Sequence, residues 1–409
     1  MKRNTPLNSV FLCFTISIFV SSSLCAIYPD SSSQEGIVES ENEEREIPPP
    51  FQGIPVLSWD APADQGWIKS FPQPDGTVIH DPALTFRVAN HVVEDSSVGI
   101  AGSAEDYVYG SWESPGSETA YTPGSLYSIR YTIRTTQSDP FRAPNCRLFT
   151  EFLAEGNKLV VGGGSRVGKG PFAPDADGET YNVYLAPPDL SGMGQIDLKV
   201  RFELIDFSSV EEGTNYLEEV QVERFPVPEK SEGILLKSYA TPQEFGDWKP
   251  VILGSPYGPV TLGLDGSGLF ITTPGPMTNP TYNLGFWTLP HEASPVSFEP
   301  GKLYRAVYTL SVPTEADRST VGKLRMFNQN WGGEWGGILN LVPDHLRNHM
   351  PTTGGSEYSV FFESMPKLYT GSESWKNRMN ASFEIQDGRA DQWGTVYLNK
   401  LDIYEYEIP

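Results

Sequence analysis

Thr122-Pro-Gly-Ser-Leu-Tyr-Ser-Ile-Arg-Tyr-Thr-Ile133 and Glu299-Pro-Gly-Lys-Leu-Tyr-Arg-Ala-Val-Tyr-Thr-Leu310 are one segment written twice, 177 residues apart. Each opens on a Pro-Gly pair, which joins the fixed φ of proline to the freedom of glycine and so suits a tight turn. Each then alternates. Tyr127, Ile129, Tyr131 and Ile133 fall at every second position, as do Tyr304, Ala306, Tyr308 and Leu310 in the later copy. A period of two puts one set of side chains on one side of a strand, so the pattern predicts a half-buried β-strand after a turn.

Other landmarks keep nearly the same spacing. Trp67 matches Trp248, Gly110-Ser-Trp112 matches Gly285-Phe-Trp287, and Arg147-Leu-Phe149 matches Arg325-Met-Phe327. Gly178 to Leu185 matches Gly355 to Phe362, Phe202 to Asp206 matches Phe383 to Asp387, and Tyr216 to Pro228 matches Tyr397 to Pro409, all at offsets between 175 and 181. Ile196, Leu198, Val200, Phe202 and Leu204 alternate with Asp197, Lys199, Arg201 and Glu203; Met379, Ala381, Phe383 and Ile385 do the same later. With 39 glycines and 35 prolines between short runs, helix is expected to be minor. Single-faced strands must cover one sheet with another. The expectation is therefore an all-β chain of two tandem antiparallel β-sandwich domains of the same fold, residues 51–228 and 229–409, divided at the Pro- and charge-rich stretch Pro226 to Glu232.

The order of a Trp-bearing opening, a Pro-Gly-x-Leu-Tyr turn and strand, and a closing strand such as Gly394 to Tyr404 resembles the galactose-binding-like jelly rolls found in many carbohydrate-binding modules. Where that pattern carries an Asp pair in the closing strand, this chain has Asn399-Lys400 and Glu218-Glu219. The resemblance implies jelly-roll sandwiches that bind glycans or, as some members do, proteins.

Residues 1–26 have the parts of a secretory signal: Lys2 and Arg3, an apolar run from Val10 to Val20 too short to span a bilayer, and small residues leading to Ala26. Ser22 and Leu24 stand in the reverse of the order a lipoprotein signal needs before Cys25. The expectation is therefore a secreted or periplasmic protein without a membrane span, in preference to one anchored by lipid at Cys25. Residues 27–50, rich in Ser and Glu and closed by Pro48 to Pro50, read as a disordered acidic linker. Beyond the signal only Cys146 remains, so the folded part has no internal disulfide. The net charge of -23 becomes -25 without Lys2 and Arg3, which excludes nucleic acid as a partner. Neutral sugars, proteins or cations suit that charge, although a local basic site such as Arg166 to Lys169 overrides the mean field at short range.

Catalytic motifs are broken wherever they begin. Gly163 to Gly170 has phosphate-loop spacing but lacks a Ser or Thr after Lys169, and Pro171 and Pro174 stand where a helix should follow; it reads as a glycine-rich loop between sheets. Gln195-Ile196-Asp197 is similar to the Gln-Ile-His strand of jelly-roll polysaccharide lyases, but Asp197 replaces the histidine that moves the proton. His345 and His349 lack a third zinc ligand and a glutamate beside His345. Asp175, Asp177 and Glu179 around a tight turn form a fragment of a possible structural calcium site. Trp331 and Trp335, in Asn328-Gln-Asn330-Trp-Gly-Gly-Glu-Trp335, have no counterparts in the first repeat, and glycines beside them leave room for flat indoles to stand out. The reading is an exported, non-catalytic binding protein that holds carbohydrate through Asn328, Asn330, Trp331, Trp335, Tyr369 and Trp375. The alternatives are a cell-surface module for protein partners and a polysaccharide lyase or hydrolase.

Overall fold

The computed structural model describes residues 53–60, 68–72, 78–80, 88–89, 92–93, 100–101, 108–116, 121–135, 138–139, 145–167, 177–206, 215–252, 260–275, 283–329, 336–364, 368–387 and 392–407. Among them the chain is dominated by antiparallel strands, and helix is confined to short pieces such as Glu315–Thr320, where the Thr314 hydroxyl accepts the Asp317 N–H as an N-cap. The fold is all-β, as the alternation requires.

The repeated turn and strand takes the same place twice. Ser125–Thr135 is flanked by Asn215–Pro226 and Glu179–Leu185; Lys302–Ser311 is flanked by Gly394–Glu407 and Ser356–Glu363. Their alternate residues Tyr127, Ile129, Tyr131, Ile133, Tyr304, Ala306, Tyr308 and Leu310 are at most 1 % exposed. The buried tyrosines that open each strand need partners for their polar ends. The Tyr127 hydroxyl accepts the Thr122 N–H, and the Tyr304 hydroxyl accepts the Glu299 N–H at 2.7 Å, so each turn is fastened to its own strand.

These strands build two smaller sheets, one per repeat. Facing them is a single sheet of 11 strands. Its centre is a pairing between the repeats: Asn157–Val167 meets Gly336–Leu341 antiparallel, with Val160 opposite Leu341, Val161 opposite Asn340, Gly162 opposite Leu339 and Gly163 opposite Ile338. Each strand is the second of a hairpin whose first strand carries the matched Arg-x-Phe, so Phe149 pairs with Gly163 and Phe327 with Ile338. Equivalent strands become neighbours across a twofold axis, and antiparallel pairing is what such an axis produces. Here it runs beside Gly163 and Ile338. The sandwiches are thus fused along this seam, and buried apolar side chains of both repeats form one core cluster.

The seam corrects one expectation. Gly162 to Val167 lie in a strand, not in a loop between sheets, and Gly168 to Gly170 fall outside the described residues. The glycines serve packing. A Cβ on Gly162 would stand 2.2 Å from Cδ1 of Leu185, and one on Gly337 would stand 2.4 Å from the carbonyl oxygen of Phe361. Gly163, at φ +79 beside a bulge, has a left-handed backbone that a side chain would strain.

The two smaller sheets also meet. Leu126 and Tyr184 of the first repeat pack with their matches Leu303 and Phe361 and with Tyr406. Beside them Asn182 and Tyr184 donate to one carboxylate oxygen of Glu363 at 3.0 and 3.1 Å, and burial raises the Glu363 carboxyl above its usual range.

Gly337→Ala forces a methyl group onto the Phe361 backbone at the seam and is expected to lower stability by about 1–3 kcal/mol. Gly354→Ala, with nothing within 4 Å, is expected to be near neutral. Urea unfolding of the two variants measures the difference.

Candidate binding face across the seam

Alternation that buries Leu148 and Phe152 turns Arg147, Phe149 and Glu151 to the other face of the large sheet, and the burial of Leu324 and Met326 does the same for Lys323, Arg325 and Phe327. Both repeats therefore carry an Arg-x-Phe pair on the side turned away from the core. The Arg147 guanidinium lies 5.3 Å from the Phe149 ring centre, and Arg325 lies 5.3 Å from Phe327. In each repeat a glutamate stands opposite the arginine on the next strand, Glu203 opposite Arg147 and Glu384 opposite Arg325.

The second-repeat pair is closed. Nε of Arg325 donates to Oε2 of Glu384 at 2.9 Å and Nη2 donates to the same oxygen, with both residues nearly inaccessible. In the first repeat Glu151 takes two cations, Arg201 at 3.0 Å and Lys158 at 2.8 Å. Burial alone would raise the Glu151 carboxyl, but Arg201 and Lys158 outweigh it and hold the group below its usual range.

Strand register makes these groups one surface. Lys199, Glu151, Val161, Asn340, Arg325 and Glu384 stand in a row, one per strand, across six neighbouring strands. At about 4.8 Å per strand the row is roughly 24 Å long. Phe149, Val161, Phe327 and Ile338 form an apolar cluster at its middle. Asn340 is 5 % exposed, and its side-chain oxygen has no hydrogen-bond partner among the described residues. Lys323, half-buried and two residues before Arg325, has its ammonium pKa lowered to about 8 by burial and then by Arg325, with Glu384 opposing and Lys158 and Arg201 adding repulsion. Lys158 and Arg201 belong to the first repeat, so cations of both repeats act on Lys323 together.

Asn328 is fully buried on the core face, two residues after Met326, and its side chain accepts the Tyr308 hydroxyl at 3.0 Å; alternation puts it inside the sandwich, so it is not a surface ligand. Asn330, Trp331 and Trp335 fall outside the described residues. Their flanks Gln329 and Gly336 pair with each other, and Gln329 also pairs with Asn380, next to the turn Gly371–Asn377. Tyr369 and Trp375 belong to that turn region. The Asn377 amide donates to the Tyr369 carbonyl at 2.7 Å and accepts its N–H at 2.8 Å, the Lys376 ammonium lies 4.9 Å from the Tyr369 ring centre, and the Trp375 ring lies 6.0 Å from His291. Trp248 and Trp287 are core residues.

Of the calcium fragment, Asp175 lies outside the described residues, Asp177 is exposed, and Glu179 accepts the Tyr181 hydroxyl at 2.9 Å. Among the described residues no three His, Cys, Asp or Glu side chains gather to hold a metal, and no helix is long and apolar enough to cross a membrane. The arginine face is absent from the sequence reading. Its signal was the Arg-x-Phe match itself, whose phase is opposite to that of the core residues beside it.

No family model and no curated protein matches the chain. Among solved structures, the tandem CBM22 domains of Paenibacillus barcinonensis Xyn10C align over 82% of this chain and 96% of that one at 9% identity with a TM-score of 0.24. A CBM4 structure aligns over 40% of this chain and 94% of that one at 14% identity and a TM-score of 0.24. An arabinose-bound GH51 α-L-arabinofuranosidase aligns over 43% of this chain at 13% identity and a TM-score of 0.25, and this chain covers 26% of its length. TM-scores this low carry no argument, and the fold rests on the strand pairing.

Because Lys323 resists protonation only when folded, its charge costs stability below about pH 8, and the cost fades as pH rises toward the unfolded value of 10.5. Lys323→Met is expected to stabilise the protein at pH 7 by about 2 kcal/mol, with a smaller gain at pH 10. Denaturant unfolding at the two pH values measures it.

Proposed function

We propose that this chain is an exported, non-catalytic carbohydrate-binding protein and that the face across the seam is its binding surface. The observation that carries the reading is that both repeats keep an Arg-x-Phe pair on the side away from the core, and that the seam makes the two copies continuous. Guanidinium, carboxylate and amide groups offer the planar donors and acceptors that ring hydroxyls need, around a buried apolar cluster of Phe149, Val161, Phe327 and Ile338. Tyr369, which packs against the core cluster, and Trp375 remain the described aromatic candidates, with Trp331 and Trp335 outside the described residues.

Anchoring suits the carboxylates better than catalysis does. Glu151 is held ionised by two cations and so has no proton to give to a glycosidic oxygen, and Glu384 is engaged by Arg325. A protein partner is the second reading, favoured by the run Ile234, Leu235 and Leu236, which is 63, 51 and 39 % exposed.

In native gels containing single polysaccharides, at least one polymer is expected to retard the protein and shift its tryptophan emission without release of reducing ends. Trp335→Ala and Trp375→Ala are each expected to weaken that binding roughly tenfold, as loss of an aromatic anchor does. Unchanged mobility across a panel of neutral and acidic polymers would sink the carbohydrate reading and leave the protein-partner one.

A further inference from the structure

We infer that the seam binds the carboxylate of an acidic sugar residue, a uronic acid within a polysaccharide, and that the two repeats supply the site jointly. This rests on the carbohydrate reading and narrows it. The first ground is a local reversal of charge. Acidic residues outnumber basic ones 52 to 29 in the whole chain. On this face, among the described side chains, Arg147, Arg201, Arg325, Lys158, Lys199 and Lys323 stand by register against Glu113, Glu151, Glu384 and Asp197.

The second ground is what those charges leave over. Glu151 is engaged by Arg201 and Lys158, and Glu384 by Arg325, whereas Lys323 makes no ion pair among the described residues. A half-buried ammonium beside a guanidinium is a costly arrangement, and an incoming carboxylate relieves it. Lys323 and Lys158 lie on strands two apart in the sheet, and Val342, which follows the strand between them, donates its N–H to the Leu159 carbonyl at 3.0 Å. Two strand spacings are about 10 Å, room for one sugar carboxylate between an ammonium from each repeat.

The third ground is Asn340. Its buried, unpartnered amide oxygen sits between Arg325 and Val161 in the same row, where it can accept a hydroxyl of the ring whose carboxylate the cations hold. A simple anion uses the cations and leaves that amide unsatisfied; an acidic sugar uses both. The chain's overall negative charge does not prevent this, since beyond a Debye length of about 10 Å it is screened.

The test is calorimetric titration of the full chain with a galacturonic acid hexamer, with its carboxyl-reduced neutral counterpart and with inorganic phosphate. The acidic hexamer is expected to bind at least tenfold more tightly than either. Lys323→Met, Lys158→Met and Asn340→Leu are each expected to weaken it by tenfold or more, with unfolding midpoints showing that the variants fold. Equal binding of the neutral hexamer would overturn the inference and keep the carbohydrate reading. Equal binding of phosphate would mean an adventitious anion only and would overturn it too. Folded variants with unchanged affinity would remove the site from the seam, and silence toward these probes and every other polysaccharide would remove both readings.

Discussion

The four-residue pairing of Val160–Gly163 with Ile338–Leu341 governs the rest of the molecule. Without it each repeat would present the second strand of a hairpin as a bare edge, with unpaired N–H and C=O groups ready to recruit another chain. The seam removes both edges by setting them against each other. It also dictates residue choice on the layer opposite, because Leu185 and Phe361 come so close to the joined strands that Gly162 and Gly337 have no room for a side chain. The contact of Leu126 and Tyr184 with Leu303 and Phe361 follows from the same axis, which carries each packing relation of one repeat onto the other.

A junction made only for stability would be finished with apolar side chains on its far face as well. The middle of that face is indeed apolar, with Phe149, Val161, Phe327 and Ile338. Around it stand buried ion pairs, which gain little over a well-packed hydrocarbon of the same volume, and the half-buried Lys323, which makes no ion pair among the described residues. Polar groups held at a loss inside a folded protein are the ordinary mark of a surface kept for a ligand. Glu363 shows the structural alternative on the other layer, where a buried carboxyl is satisfied by Asn182 and Tyr184 of the first repeat and simply ties the two sheets.

The duplication, the strands and their apolar faces were legible because each needs only local information: a repeated word and a period of two. The seam was not. It joins strands whose partners lie almost 180 residues away, and its glycines look like loop residues until the crowding by Leu185 and Phe361 is known. Asn328 was misread for a different reason. Its polarity and its place beside Trp331 suggested the surface, but the alternation through Leu324 and Met326 already assigned it to the interior, where the Tyr308 hydroxyl gives it a partner. The arginine face was written in the sequence as Arg147-Leu-Phe149 and Arg325-Met-Phe327, and became meaningful only when register set a glutamate beside each arginine.

The differences between the repeats matter as much as the likeness. A face with perfect twofold symmetry would offer a polysaccharide two equivalent directions, since the polymer has a reducing and a non-reducing end and the axis does not. Register places Arg201 beside Phe149 where the second repeat has Ser382 beside Phe327, and Glu151 where the second repeat has Gln329. One side of the axis thus holds an ion triad of Glu151, Arg201 and Lys158, the other an Arg325–Glu384 pair beside Lys323, which makes no ion pair among the described residues. On the carbohydrate reading proposed above, duplication gives a row roughly 24 Å long and divergence at these few positions gives it a direction.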